Sequence, residues 1–269
     1  MKKLSKILAT AIASIACFST LVGCQDAQMP DKTVTIGYTD YAPMNYLDES
    51  GELVGFDTEL AEMVFSDLGY QVRFKLIDWG NKYSELNSGT IDCVWNGFTA
   101  NCADDDGVQR SEKVDFSYYY MTNAQCVLRL QTSEELLTVA DFAGKSVAFE
   151  AGSAGNTYVK ALEGDIYKKA VATQMDAVRE VSAGTTGYAV VDLLLAKSIA
   201  GKGDFANLTI NESIQIDAEY YAIGFKKGSD LTALVNAKLV EYAQNGKLAT
   251  LAEKYNLTNQ VITDFANAN

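Results

Sequence analysis

Short apolar strands alternate with amphipathic helices along most of the chain, and this alternation limits the fold more than any other feature. Residues 33–38 and 71–77 have the pattern of strands, and residues 56–68 between them form a helix with Leu60 and Val64 on its apolar face. Further strands are predicted over 91–95, 126–130, 146–149, 188–191 and 219–226, and further helices over 82–87, 153–162, 175–182, 192–199, 231–244 and 248–254. The pattern predicts an α/β fold with parallel sheets.

The region from 33 to 265 is long for one domain and natural for two small lobes. The chain has only two prolines, Pro30 and Pro43, and no Ser- or Pro-rich linker divides it. Two lobes would therefore be joined by continuous strands, an arrangement that suits hinge closure.

The N-terminus has the features of a secretory signal peptide over residues 1–23. A basic head with three lysines precedes an apolar run over residues 7–22, which is too short and wrongly flanked to span a membrane. The run ends in the sequence LVGC, which resembles the lipobox of bacterial lipoproteins, so we expect a lipid on Cys24 and a tether over residues 24–32. The alternative is an ordinary signal peptide that happens to contain a cysteine. No later apolar run approaches 18 residues, so the lipid would be the only attachment to the membrane.

The charge of the chain excludes several classes of partner. The formal charge is −13, and removal of the signal peptide would make it more negative, because lysines leave and acidic residues do not. Such a surface repels nucleic acid and anionic lipid. The chain also contains no histidine, which removes the commonest metal ligand and the commonest general base near neutral pH. We expect no metal, no cofactor and no enzymatic activity.

Three cysteines remain after Cys17 and Cys24 are assigned to the N-terminal segment. Three thiols can form one disulfide and leave one over. Cys93 lies in an apolar strand and is expected in the core. We favour a disulfide between Cys102 and Cys126, since the compartment permits one.

Several motifs resemble those of the family 3 bacterial extracellular solute-binding proteins, the polar amino-acid-binding partners of ABC importers. They occur in order as IGYTDYAPM at 36–44, GELVGFD at 51–57, SGTID at 88–92, an arginine six residues before the Phe-Ser pair at 116–117, FAGKSV at 142–147, AGS at 151–153 and YAIGFKKG at 221–228, followed by the helical segment 239–257. The resemblance covers essentially all of the mature chain. It implies a two-lobed, type II periplasmic-binding-protein-like α/β fold, in which each lobe is a sheet flanked by helices and two strands form the hinge. Lobe 1 would comprise residues 33–121 and 219–269, and residues 122–218 would form the hinge and lobe 2.

The same resemblance implies a site for the carboxylate of a free amino acid. Arg110 matches the arginine whose planar guanidinium holds that carboxylate with two parallel bonds. Ser153 and Ala154 follow Gly152 at a strand-to-helix turn, and their N–H groups would bind the same carboxylate. The plainer interpretations are that Arg110 is a surface residue countering acidic neighbours at 104–106 and that Ser153 only caps the helix.

The remaining site residues would bind the ammonium and the side chain. Asp192 matches the ammonium-binding aspartate, with a helix cap as the alternative, and the Thr99 side chain and the Gly97 carbonyl would complete the ammonium site. The predicted aromatic walls are Tyr41 and Trp79, which would otherwise be core aromatics. Three further residues are expected to set specificity: Tyr38, Asn96 and Glu150.

These residues imply that the protein binds a free polar amino acid outside the cytoplasm and delivers it to the permease of an ABC importer, as a monomer. The ligand stays open among basic, amide and other polar amino acids, cystine included, because Glu150 favours a basic or amide side chain whereas Tyr38 stands where basic-amino-acid binders carry an aspartate. The alternatives are a dehydratase related to cyclohexadienyl dehydratase, in which Glu150 would be the acid, and a sensor without transport.

Overall fold

The computed structural model describes residues 32–265, so the predicted signal peptide, Cys24 and the tether lie outside the described residues. Its strands are β1 (Lys32–Tyr38), β2 (Tyr46–Leu47), β3 (Leu53–Val54), β4 (Tyr70–Leu76), β5 (Cys93–Val94), β6 (Asp115–Phe116), β7 (Met121–Leu130), β8 (Ser146–Glu150), β9 (Tyr167–Val171), β10 (Tyr188–Asp192), β11 (Leu208–Ile210), β12 (Ala218–Tyr221) and β13 (Gly224–Phe225). Its α-helices are α1 (Phe56–Asp67), α2 (Lys82–Ser88), α3 (Arg110–Lys113), α4 (Ala154–Ala161), α5 (Gln174–Ser182), α6 (Leu193–Ile199), α7 (Leu231–Gln244) and α8 (Lys247–Lys254). No helix of this part of the chain is long and apolar enough to cross a membrane.

The first sheet has the strand order β4-β1-β5-β13-β6. Strand β1 is parallel to both of its neighbours, and β13 is antiparallel to both of its own. Helix α1 covers this sheet with Leu60, Val64 and Phe65, which are fully buried together with Ile36 of β1. Burial of each such side chain stabilises the fold by about 1.5–3 kcal/mol.

The second sheet has the order β11-β7-β10-β8-β9, in which β10, β8 and β9 are parallel and β7 is antiparallel to both neighbours. Helix α5 packs on it through Ala177, Val178 and Val181. Edge strand β9 is mostly exposed and carries two lysines, which explains why its sequence gives no strand signal.

Two crossing segments join the sheets. The first part of β7 pairs with β12 from Met121 to Ala124, and the later part of β7 belongs to the second sheet. Strand β12 is followed after two residues by β13 of the first sheet, so the single strand predicted over 219–226 is in fact two. The two-lobed α/β architecture with two hinge strands is confirmed. We propose lobe boundaries at 33–121, 122–218 and 219–269, because the crossings lie next to residues 121 and 219.

The expected disulfide between Cys102 and Cys126 is not formed. All three cysteines of residues 32–265 are free thiols. Cys126 pairs with Val191 within the second sheet, whereas Cys102 lies in the loop before α3 next to the first sheet. Cys93 is buried in β5, as predicted.

Gly55 fixes the entry into α1, and its replacement should destabilise the fold. Gly55 has φ 131°, and a Cβ there would lie 2.1 Å from the Met44 carbonyl oxygen. Because only glycine adopts this backbone region without strain, Gly55→Ala should lower the free energy of unfolding by about 2–3 kcal/mol. Urea denaturation would measure the loss. The control is Gly51→Ala, where φ is 85° and nothing lies within 4 Å of the added Cβ. Equal losses in the two variants would contradict the steric argument.

Candidate functional site

A cavity lies between the two lobes at the carboxyl ends of their central strands. Its lining residues come from both lobes and are Thr39, Trp79, Asn96, Gly97, Thr99, Arg110, Glu150, Ser153, Ala154, Gln174 and Asp192. We call it the interlobe cavity. In a parallel sheet the carboxyl ends of the strands meet at one edge, which explains why residues far apart in sequence converge there.

The structure brings nine of the eleven predicted site residues to this cavity, Arg110 and Asp192 among them. Tyr38 and Tyr41 do not line it. The Tyr41 ring is buried, and its hydroxyl lies 2.6 Å from the Tyr221 hydroxyl. The Tyr38 ring is half-buried and packs edge-to-face with the Phe74 ring, with 6.0 Å between the ring centroids. Both rings pack within lobe 1, so the roles of Tyr41 as an aromatic wall and of Tyr38 in specificity stay predictions.

Arg110 is the centre of the lobe 1 wall and is only 1% exposed. Its Nε donates to Asp104 at 2.8 Å, Nη1 donates to the Thr99 carbonyl at 3.0 Å and Nη2 donates to the Gly152 carbonyl at 3.1 Å. Because guanidinium has five N–H groups, these bonds leave one N–H on each terminal nitrogen. The plainer interpretation of Arg110 as a surface residue is wrong, although its pairing with Asp104 is real.

Asp104 is held by several donors and stays ionised. Its pKa is lowered to about 2, because Arg110 and hydrogen bonds from Lys113 and Tyr83 outweigh the effect of burial. The acidic loop over residues 104–106, which precedes α3, thus supplies the counter-ion that holds the Arg110 guanidinium in place.

The polar loop after β5 forms the rest of the lobe 1 wall. Asn96 accepts from the Thr39 hydroxyl at 2.7 Å and donates to the Thr39 carbonyl at 2.8 Å, so it fastens two loops together. The Gly97 N–H donates to buried Asp57 at 2.8 Å, and a Cβ on Gly97 would lie 2.5 Å from the Tyr41 ring. The loop therefore needs glycine at this position.

The turn between β8 and α4 forms the lobe 2 wall. The Ser153 hydroxyl accepts from the Asn156 N–H at 3.0 Å and donates to the Glu150 carbonyl at 2.8 Å, so Ser153 caps α4 as the plainer interpretation held. The Ser153 N–H also donates to the Glu150 carbonyl, at 3.3 Å. Ala154, whose N–H was the second predicted donor, begins the helix and lines the cavity.

Glu150 brings an unsatisfied carboxyl group to the cavity. The side chain is 2% exposed, and its Oε1 has no hydrogen-bond partner among the described residues. Burial first, and then the neighbouring Asp192 charge, raise the pKa of Glu150 to about 8, against the opposing charges of Lys82 and Arg110. A buried acceptor of this kind is stabilised by a donor that a ligand supplies.

Asp192 faces the cavity from the end of β10 and makes no side-chain cap to α6, so the capping alternative is wrong. Its Oδ1 accepts from Asn123 at 2.8 Å and from Gln125, and its Oδ2 accepts from Gln174. Burial raises the pKa of Asp192. The group is thus a buried acid that accepts hydrogen bonds from three neutral amides.

Trp79 lies in a 3-10 turn at Trp79–Asn81 and lines the cavity. Its ring packs edge-to-face with the Phe98 ring, with 5.2 Å between the ring centroids. Behind it lies Lys82, a buried residue of α2 that the sequence patterns did not single out. The Lys82 ammonium donates to the Gly152 carbonyl at 3.0 Å and lies 5.0 Å from the Trp79 ring centroid. Burial, and then the charge of Arg110, lower the pKa of Lys82 to about 7.

The lobes contact one another around the cavity, so the structure represents a closed arrangement. Beside the two bonds to the Gly152 carbonyl, the Thr157 hydroxyl donates to the Ala103 carbonyl at 3.2 Å and Lys160 pairs with Asp105. Enclosure between the lobes strengthens the electrostatic contacts inside the cavity.

Thr39 and Gln174 line the cavity and were not predicted. Thr39 directly follows β1, and its position after a parallel strand is a signal that could have found it. Gln174 opens α5 after the weakly patterned strand β9, so no sequence signal marked it.

Comparisons with known proteins agree with the two-lobed fold. The family model "Bacterial extracellular solute-binding proteins, family 3" matches residues 34–258. The chain is 27% identical to the arginine-binding extracellular protein ArtP of Bacillus subtilis over 261 residues, which cover 95% of this chain and 98% of that protein. It is 25% identical to the L-cystine-binding protein TcyJ of Escherichia coli over 225 residues, which cover 80% and 79% of the two chains. A solved ancestral arginine-binding protein bound to arginine superimposes with a TM-score of 0.77 at 27% identity, over 84% of this chain and 99% of that one. The chain therefore belongs to the bacterial extracellular solute-binding proteins, family 3.

Proposed function

We propose that the protein binds a free polar amino acid in the interlobe cavity and delivers it to the permease of an ABC importer. The observation that carries the proposal is the placement of Arg110 and Asp192 on opposite lobes of one enclosed cavity. Removing a zwitterion from water is costly unless each charge meets a fixed partner. The two free N–H groups of Arg110 suit the carboxylate, and Asp192 suits the ammonium.

The side chain of the ligand would meet Glu150 and Trp79. Because Glu150 offers a buried acceptor without a partner, it favours an amino acid whose side chain donates hydrogen bonds. Basic and amide side chains do so, and the second ammonium of cystine does so as well. Acidic amino acids would add a further carboxyl group to a cavity that already holds Glu150 and Asp192, and should bind most weakly.

Closure around the ligand would create the surface that the permease recognises. Ligand binding shifts the equilibrium to the closed form only if the ligand contacts both lobes. Arg110 on one side, and Ser153, Ala154 and Asp192 on the other, supply those contacts. We also propose export by the signal peptide over residues 1–23, a lipid anchor on Cys24 outside the cytoplasm, and action as a monomer.

A thermal-shift screen of the twenty amino acids and cystine on the mature protein tests the proposal. A ligand that binds only the folded protein at a hundredfold excess over its Kd stabilises it by about 2.7 kcal/mol, which raises the melting temperature by several degrees. We expect the largest shifts with arginine, lysine, histidine, glutamine or cystine. Absence of a shift with every compound would contradict amino-acid binding, and a largest shift with glutamate or aspartate would contradict the role of Glu150.

A further inference from the structure

Polar side chains surround the hinge strand β7 behind the interlobe cavity. In the strand register, Asn123 of β7 faces Glu219 of β12, and Gln125 of β7 faces Asp192 of β10. Asn123 and Gln125 lie two residues apart on one strand and therefore point to the same side of the sheet. All four side chains are buried. We call them the hinge cluster.

Each amide of the hinge cluster bridges the same two carboxyl groups. The Asn123 amide donates to Asp192 at 2.8 Å and to Glu219 at 2.5 Å. The Gln125 amide donates to Asp192 and, at 2.8 Å, to Glu219. The two carboxyl groups therefore lie side by side. Their oxygens are thus drawn together by two shared donors.

Two adjacent buried carboxyl groups cannot both ionise when no cation neutralises them. The ion pairs formed within residues 32–265 include neither Asp192 nor Glu219. We propose that Glu219 is a positioning residue for Asp192: it remains a neutral acid that donates its proton to Asp192, so that the pair carries one negative charge, directed at the interlobe cavity. The shared proton links Asp192, the predicted ammonium acceptor, to Glu219 of β12. The amides of β7 bind both carboxyl groups, so Asp192 is connected to both hinge strands.

The surroundings agree with a neutral Glu219. Burial first, and then the Asp192 charge, raise the pKa of Glu219 to about 8, whereas the amides of Gln125 and Asn123 lower it. The titratable groups whose charges interact with the pair include the side chains of Tyr41, Tyr221, Glu150, Cys102 and Cys126. None of these groups is a cation, and the two cations beside the interlobe cavity, Arg110 and Lys82, are bonded to other acceptors.

The first test measures stability against pH and needs no ligand. The folded state holds the Glu219 proton from about pH 5 to about pH 8, whereas the unfolded state loses it near its usual value, so stability falls as pH rises through this window. Relative to Glu219→Gln, the folding equilibrium constant of the mature wild-type protein should fall by up to tenfold per pH unit there. The control is the exposed Glu163→Gln, whose curve should parallel the wild type.

Parallel curves for wild type and Glu219→Gln would overturn the proposal. If Glu219→Gln fails to fold, carbon-13 NMR of the wild-type side-chain carboxyl groups decides instead. Titration of Glu219 above pH 7 supports the neutral acid, and titration below pH 5 overturns it.

The second test rests on the proposed function. The ammonium of a bound amino acid favours ionisation of Glu219, so binding at pH 8 should release protons, and calorimetry in two buffers of different ionisation enthalpy counts them. Glu219→Gln should release fewer protons while its affinity at pH 7 stays within about threefold, since glutamine reproduces the neutral donor. Equal proton release would overturn the coupling. If no amino acid binds either protein, the proposed function fails, whereas the stability comparison still decides the state of Glu219.

Discussion

Arg110→Ala should weaken amino-acid binding about a thousandfold. Truncating one partner of a buried, hydrogen-bonded charge pair costs about 2–5 kcal/mol, and a loss near 4 kcal/mol corresponds to that factor. The ligand carboxylate would lose both of its parallel bonds and remain buried with only the amides of α4 nearby. Isothermal titration calorimetry with the amino acid found by the thermal-shift screen measures the change.

The matched control for Arg110→Ala is Arg73→Ala, because Arg73 is an exposed residue of β4 in the same lobe. Its affinity should equal that of the wild type. Circular dichroism should show that Arg110→Ala is folded, since Asp104 keeps Lys113 as a counter-ion at 2.8 Å. A folded Arg110→Ala protein with wild-type affinity would remove the carboxylate assignment.

Asp192→Asn should weaken binding at least a hundredfold. The substitution keeps the shape of the side chain but removes the negative charge that meets the ammonium, and it places an amide where Asn123, Gln125 and Gln174 already donate. A charged hydrogen bond exceeds its neutral counterpart by about 1–2 kcal/mol, and the clash of donors adds a comparable loss. Calorimetry against Asp165→Asn, an exposed aspartate of the same lobe, measures the effect. Equal affinities in the two variants would place the ammonium elsewhere.

Much of the fold could be predicted because it follows from local pattern. The periodicity of residues 33–38 and 56–68 reproduces β1 and α1 closely, and the collinear motifs indicate the two-lobed order of strands. The site residues Glu150 and Asp192 were assigned from the family resemblance, and both lie at strand ends. A strand terminus is a local property, and parallel strands bring their termini together.

The features that were missed depend on contacts between distant parts of the chain. The sequence predicts Tyr41 as a wall of the cavity. In the structure its hydroxyl lies beside the hydroxyl of Tyr221, which is 180 positions away in sequence. Lys82 lies on a short helix whose sequence gives no sign that its ammonium crosses to the other lobe. The proposed bridge between Cys102 and Cys126 required a distance between a loop and a strand of different lobes, which spacing in sequence does not provide.

The hinge cluster was missed for a further reason. Its amides and carboxyls come from β7, β10 and β12, and each is an ordinary polar residue in its own strand. A hydrogen-bonding network across strands leaves no periodic trace in any one of them, so only the register shows that Glu219 faces Asn123.

The crossing of β7 and β12 is the hinge about which the two lobes would rotate. Displacement during opening grows with distance from a rotation axis, so we expect the Asn123–Glu219 pair at the crossing to move little and the outer contact between Lys160 and Asp105 to separate most. Asp192, the proposed acceptor for the ammonium, would then be in place before the lobes close. The amino acid could bind first at the hinge. Fluorescent labels near residues 105 and 160 should therefore report closure by a change in signal. Labels beside β12 should show little change.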